Sequence, residues 1–329
     1  MSDDSDDDDQ GPGSNAPPDP ARADRAARAK VWLEVLAFAA IYLIWGSTYL
    51  AIRVGVRSLP PFLMAGCRFV IAGGILYTIM RARGVRSPTL AEWGRAAVAG
   101  LLMLTAANGL VTWAEIHVAS NLAALFIAAV PLYVALLDWL RPGGVAPKRR
   151  VWLGITVGAA GMALLVMRDG SSTAAPTSAA AVGALLLSGL CWAAGSLYSR
   201  YGAMHPQPLM AAAQQMLAGG VAQLLLSVAS GEPGRLSLAT MSSESLFAFA
   251  YLTLAGSLVA FTAFGWLVKA STPARLSTNA YVNPVVAVVL GWLLLGEQLA
   301  PRALAGAGLI VCAVVVMTVS LPSRRRRTL

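Results

Sequence analysis

The stretch Leu33 to Gly55, LEVLAFAAIYLIWGSTYLAIRVG, decides the class of the fold. Between Glu34 and Arg53 it runs for 18 residues without a charge. An α-helix rises 1.5 Å per residue, so about 20 such residues cross the roughly 30 Å of hydrocarbon in a bilayer. The apolar residues are continuous and do not alternate, which indicates helices and excludes barrel strands. Similar runs recur to residue 321, in a chain that is 57% hydrophobic and 12% charged with a mean hydropathy of +0.64. Soluble domains are about a quarter charged, so this surface could not stay in water.

Working outward, the runs predict ten membrane spans, at about 33–52, 61–80, 94–114, 119–140, 151–167, 180–199, 208–229, 245–267, 273–295 and 303–321. Short connections carry the punctuation of turns, as in Leu59-Pro60-Pro61, Arg141-Pro142-Gly143-Gly144 and Gly231-Glu232-Pro233-Gly234. The fold class expected is all-α integral membrane. Residues 1–30 differ: six aspartates lie within Met1 to Asp9, a Pro/Gly stretch follows, and Arg22, Arg25, Arg28 and Lys30 close the segment. This reads as a disordered tail, acidic and then basic. The order is wrong for a signal peptide, which has a basic region and then an apolar core at its start.

The net charge of +9 does not point to nucleic acid, because the basic residues sit in the connections between apolar runs. With the N-terminus placed inside, nineteen Lys and Arg fall on the inner side and five (Arg53, Arg57, Arg168, Arg235 and Arg302) on the outer, while Arg68 lies within a span. This bias predicts that both termini face the cytoplasm.

The chain also repeats itself. Trp45, Arg53, Gly55 and Pro61 match Trp192, Arg200, Gly202 and Pro208 at an offset of 147. Trp113 and Pro131 match Trp266 and Pro284 at an offset of 153, and Gly154 matches Gly306. The expected organisation is therefore a tail over 1–30, a first repeat over 31–168, a linker over 169–179, a second repeat over 180–321 and a basic tail over 322–329. Five spans per repeat is an odd number, so the second repeat enters the membrane inverted. Transporters built this way bind substrate near the midplane, between the repeats.

Several motifs carry a family resemblance: Ile44-Trp45-Gly46-Ser47-Thr48-Tyr49, Pro60-Pro61, Arg68-Phe69, Ala280-Tyr281-Val282-Asn283-Pro284-Val285-Val286-Ala287 and Gly296-Glu297. Over residues 33–321 the chain resembles the EamA branch of the drug/metabolite transporter superfamily, within it the YedA/PecM-type exporters. The resemblance implies a ten-helix transporter of a bacterial inner membrane, exporting amino acids, metabolites or drugs. A proton or a counter-substrate would be the coupling partner. The acidic tail lies outside the resemblance.

Polar groups within hydrocarbon need a reason. Thr105, Asn108, Thr112 and Glu115 are spaced by three, four and three, which places them on one face of an α-helix. They read as a stripe on the translocation path, or as interhelical hydrogen bonds. Arg68, about seven residues into the second span, calls for a salt bridge, with Glu115 as the candidate partner, or for an anionic group of the substrate. Its repeat counterpart is Gln215. Pro131 and Pro284 predict helix bends in mid-span, each removing a bond to the carbonyl four residues earlier. Asn279 and Asn283 lie one turn apart just before the latter.

Trp45, Trp113, Trp192 and Trp266 read as interface or packing residues. His117 and His205 stand at loop ends, where a protonation switch is the functional alternative. Asp138 and Glu297 read as caps or tethers near span ends, and Arg324 to Arg327 as an anchor at anionic lipid. Cys67, Cys191 and Cys312 fall inside apolar runs, without disulfide or metal spacing. The sequence has no GxxxxGK[ST] phosphate loop and no nucleophile or metal motif. It therefore calls for no cofactor, metal or catalytic residue. A secondary transporter partnered by lipid and a small molecule is the leading function. A non-transporting receptor or assembly protein and a membrane enzyme are the alternatives.

Overall fold

The structure is a computed structural model that describes residues 20–144, 149–166, 178–271, 276, 279–296 and 301–318. The acidic stretch Asp3 to Asp9, the linker around Gly170, Glu297 and the Arg324 to Arg327 run lie outside the described residues. Among those described, every regular element is helical. They are α1 (Pro20–Gly55), α2 (Pro61–Ala82), α3 (Leu90–Gly100), α4 (Gly109–Ala114), α5 (Ser120–Ile127), α6 (Val130–Leu140) and α7 (Arg149–Val166). The second part holds α8 (Ala179–Tyr201), α9 (Pro208–Ala229), α10 (Ser243–Tyr251), α11 (Phe261–Ala270), α12 (Asn279–Leu295) and α13 (Pro301–Thr318). Short 3₁₀ turns join α9 to α10.

Seven helical stretches of the described residues are long and apolar enough to cross a membrane: Val31–Gly55, Pro61–Ala82, Leu90–Ala114, Leu122–Leu140, Ala179–Tyr201, Pro208–Ala229 and Ser243–Ala270. Three shorter apolar helices, Trp152–Gly161, Val282–Leu295 and Leu304–Ala313, fall on the remaining expected spans. The surface is apolar, as lipid requires. Leu43, Ile71, Ile75, Leu225, Phe247 and Trp292 point outward, while Thr112, Ser188, Gln214 and Gln223 are buried. Polar residues thus share the interior with an apolar core that includes Ile41, Leu104, Phe126 and Met216.

Helix starts follow from local chemistry. Proline occupies the first turn of α2, where a missing N–H leaves no bond unmade. No side chain of its own caps α2. Instead the buried Glu232 carboxylate, arriving from the α9–α10 connection, accepts from the N–H groups of Phe62 at 3.3 Å and Leu63 at 2.8 Å. Thr89 and Glu92 form a reciprocal capping box at α3, and Arg86 pairs with Glu92.

Three expectations need correction. The first helix begins at Pro20, so residues 20–30 are helical, not disordered. Their Ala, Arg and Lys content gives high helix propensity, and the segment extends the membrane helix beyond its apolar part. The third span is not a plain α-helix, because Leu101–Asn108 winds as a π-helix between α3 and α4. A second π-helix, Leu252–Ala260, lies between α10 and α11. The fourth span is broken: α5 ends at Ile127, a turn covers Ala128 and Ala129, and Pro131 sits in the first turn of α6. Pro131 therefore starts a helix where a mid-helix bend was expected. Pro284 does lie inside α12.

α2 packs along α9, and α7 along α13. α1 packs against α12 and the second π segment, while α8 packs against α6 and the first π segment. Glycines permit the closest approaches. A Cβ on Gly220 of α9 would lie 2.9 Å from the Val70 nitrogen of α2, and one on Gly219 would lie 2.7 Å from the Gly100 carbonyl oxygen. The α9 backbone is thus wedged between α2 and α3.

Candidate functional site

A cavity of about 470 Å³ runs between α1, α2, the first π segment, α5, α6, α8, α11 and α12. Its lining includes the buried Ile52, Val111 and Ala124. Arg53 donates to the backbone carbonyl of Glu115 and ties the end of α1 to the end of α4. At the mouth stand Asp138, Arg150, Arg200 and the exposed Tyr201. There Asp138 Oδ1 accepts from Arg141 Nε at 2.6 Å and from the Tyr201 hydroxyl at 2.9 Å. The Arg141 guanidinium lies 4.0 Å from the centre of the Tyr201 ring.

Arg68 lines the cavity and is only 3% exposed. Its Nη2 donates to Asn108 Oδ1 at 2.7 Å, and its Nε is buried without a hydrogen-bond partner. The guanidinium also lies 4.4 Å from the Phe69 ring centre. The sequence left Glu115 as its candidate partner, but the hydrogen bond goes to Asn108. Glu115 is fully buried and acts on Arg68 and Tyr49 as a neighbouring charge, from outside the cavity lining.

The structure splits the expected polar stripe. Asn108 lines the cavity, but Thr105, Thr112 and Glu115 do not. Within the π segment, i→i+5 bonds give more residues per turn than an α-helix, so the spacing of three no longer puts Thr105 on the face of Asn108. Thr105 turns to α9 and donates to the Gly219 carbonyl at 2.9 Å. Thr112 donates to the Asn108 carbonyl at 2.9 Å within its own helix. On the far wall Asn279, Asn283, Pro131 and Pro284 all line the cavity. With its amide nitrogen turned to α1, Asn283 donates to the carbonyls of Ile41 and Tyr42, each at 3.2 Å, and of Asn279 at 3.3 Å.

Sequence reasoning missed an aromatic group in the wall. Trp45 and Trp192 meet edge to face with ring centres 5.6 Å apart, and Phe264 lies 5.0 Å from Trp45 and 5.9 Å from Trp192. All three line the cavity, whereas Trp113 and Trp266 do not. The carbonyls of the π segments are taken up by side chains from other helices. Ser188 donates to Ala107 at 2.8 Å, Trp45 Nε1 to Gly256 at 3.3 Å, and Gln223 to Leu104. Gln215, the counterpart of Arg68, bonds to Ser199 at 3.1 Å and stays outside the lining. Among the described residues no cluster of three His, Cys, Asp or Glu side chains could hold a metal.

The arrangement is an apolar, aromatic-walled chamber with the buried cation Arg68 in its wall, in the size range of about 300–1,000 Å³ typical of small-molecule sites. Comparison with known proteins agrees. The chain is 41% identical over 281 residues to the inner membrane transporter YedA of Escherichia coli K12, an alignment covering 85% of this chain and 88% of that one. It is 27% identical over 300 residues to a probable terminal-alkyne amino-acid exporter of Streptantibioticus cattleyicolor, covering 90% and 95%. A solved crystal structure superposes with a TM-score of 0.62 at 25% identity, covering 88% of this chain and 96% of that one. The description EamA-like transporter family matches twice, at residues 32–167 and 179–319. The chain therefore belongs to the EamA-like transporter family, and is a membrane transporter rather than an enzyme.

Proposed function

We propose that the chain is a secondary-active exporter of a small metabolite, amino acid or drug-like compound across a bacterial inner membrane. In this reading ten spans form two inverted five-helix repeats, residues 31–168 and 180–321, with both termini cytoplasmic. One observation carries it: repeat-related residues from both halves line a single cavity. At the offset of 147 these are Trp45 with Trp192 and Tyr49 with Ser196. At the offset of 153 they are Asn108 with Phe261, Val111 with Phe264, Val130 with Asn283, and Pro131 with Pro284. The helix pairings support the same symmetry. α1 against α12 and the second π segment is mirrored by α8 against α6 and the first. An inverted pair around one central site is the geometry of alternating access.

With the N-terminus inside, the mouth at Arg200 faces the cytoplasm and the Arg53 contact seals the outer end. Symmetry then supplies the other state. Arg53 corresponds to Arg200, and Glu115 to Val268, so the outward-open state would close its inner end by a bond from Arg200 to the Val268 carbonyl. Val268 and Arg200 both line the cavity. Arg68, Asn108, Asn279 and Asn283 form the substrate path, Pro131 and Pro284 shape it, and Thr105, Thr112 and Glu115 support it from behind. A proton or a counter-substrate supplies the drive.

The test is flux in proteoliposomes. Transport should respond to an imposed proton or substrate gradient and persist without nucleotide, and strict dependence on ATP would refute the reading. Reporter fusions should place the loop near Gly170 outside.

A further inference from the structure

The charges of the cavity carry an inference about the chemical class of the substrate, and it rests on the transport reading. The cavity is lined by three cationic side chains, Arg68, Arg150 and Arg200, and by one carboxylate, Asp138. Asp138 stands at the mouth and already accepts from Arg141 and Tyr201. Glu115 influences Arg68 but does not line the cavity, so it offers no contact to a cation inside it. Beyond the mouth, then, the wall holds a guanidinium and no carboxylate. Arg68 makes one hydrogen bond, to the neutral Asn108, and its Nε has none. Arg68 lies near the charge of Glu115 yet keeps donors to spare, and such a guanidinium gains most from a planar anion that accepts two parallel bonds. Within the same lining, Trp45, Trp192 and Phe264 present an apolar aromatic surface, and the arginines at the mouth raise the local concentration of anions.

We propose that the substrate is a small monocarboxylate with an apolar or aromatic body. Its carboxylate is held by Arg68 beside Asn108, and its body lies against Trp45, Trp192 and Phe264. An amine is not required, and an organic cation is rejected because the carboxylate that lines the cavity, Asp138, is already engaged by Arg141 and Tyr201.

The experiment uses the full chain in lipid nanodiscs and in proteoliposomes, with three probes of one shape: 3-phenylpropionate, 3-phenylpropanamide and 3-phenylpropylamine. Binding is read by quenching of tryptophan fluorescence, and flux by counterflow of labelled probe. The carboxylate should bind at least about tenfold more tightly than the amide, as expected for a charge-assisted pair against a neutral one, and the amine should not saturate. R68Q should bind carboxylate and amide alike, and R68K should restore part of the preference. In the wild-type protein, equal binding of carboxylate and amide overturns the proposal, as does preference for the amine or binding of none of the three. Retention of the preference in R68Q overturns it as well. Should R68Q fail to fold, the ranking of the three probes by the wild-type protein decides alone. Flux of the amine or amide without the carboxylate sinks the substrate class and leaves transport standing. Binding of the carboxylate with the stated ranking but without flux upholds the class and sinks transport.

Discussion

Replacing Gly100 with alanine should destabilise the protein, while the same change at Gly74 should not. A Cβ on Gly100 would lie 2.4 Å from the Gln215 carbonyl oxygen, 3.1 Å from the Gly219 nitrogen and 3.2 Å from the Gln215 carbonyl carbon. Ordinary carbon–oxygen contacts are no closer than about 3.3 Å, so α9 would have to retreat by roughly 1 Å. It is not free to do so. Thr105 holds the Gly219 carbonyl at 2.9 Å and Gln223 holds the Leu104 carbonyl, so retreat stretches both bonds. On its other flank Gly220 already touches α2, where a Cβ would meet the Val70 nitrogen at 2.9 Å. Overpacking of this kind costs about 1–3 kcal/mol, against about 1 kcal/mol gained from the better helix propensity of alanine. The net loss is up to about 2 kcal/mol. Around Gly74 no atom lies within 4 Å of the added carbon, so that variant keeps the propensity gain alone. Thermal unfolding of the purified proteins in detergent checks both: Gly100→Ala should melt below the wild type and Gly74→Ala at or above it. A Gly100→Ala protein that melts as high as Gly74→Ala would refute the wedge of α9 between its neighbours.

Glu232→Gln should weaken the start of α2 by about 1–2 kcal/mol, because a neutral amide replaces the charge that caps two N–H groups, as unfolding curves would record. Arg68→Ala and Asn108→Ala should be non-additive in a thermal double-mutant cycle, with a coupling of about 0.5–3 kcal/mol, and strict additivity would count against their hydrogen bond. Pro284→Ala should lower flux more than it lowers the amount of folded protein, since it straightens the cavity wall; an abundant, fully active variant would make the proline incidental. Arg200→Ala should retain substrate binding but lose flux if Arg200 closes the inner end, and unchanged flux would remove it from that role.

The membrane helices were legible in the sequence because an uncharged run of about 20 residues has few other uses. Arg68 was legible because a cation inside such a run is rare, and the structure places it in the cavity wall. The partner it would choose was not legible, since both Asn108 and Glu115 lay within plausible reach on the next span. The polar stripe failed for a specific reason: hydropathy does not encode residues per turn, and the π segment at Leu101–Asn108 turned Thr105 away from Asn108. The early start of α1 was hidden because a Pro-, Ala- and Arg-containing segment suits both a solvated tail and a helix extension. Arg150 was counted only as a loop charge and Arg200 as a loop charge and the repeat match of Arg53, because a sequence does not say which loops border a cavity. The tryptophans were not separable by sequence, since Trp113 and Trp266 match across the repeat as Trp45 and Trp192 do, yet stay outside the lining.

The two π segments, Leu101–Asn108 and Leu252–Ala260, bear on the ancestry of the chain. Shifted by the offset of 153, the first falls at 254–261, within the one or two residues by which helix boundaries scatter. A π turn amounts to an extra residue squeezed into an α-helical ladder, and it is a rare event. Two independent insertions at matching places would be a coincidence. A single insertion in a half-length ancestor, copied when that gene was duplicated and joined, accounts for both. The irregular turn would then be older than the joined chain. It would have served first where two separate copies of the ancestor met, before any linker made them one polypeptide.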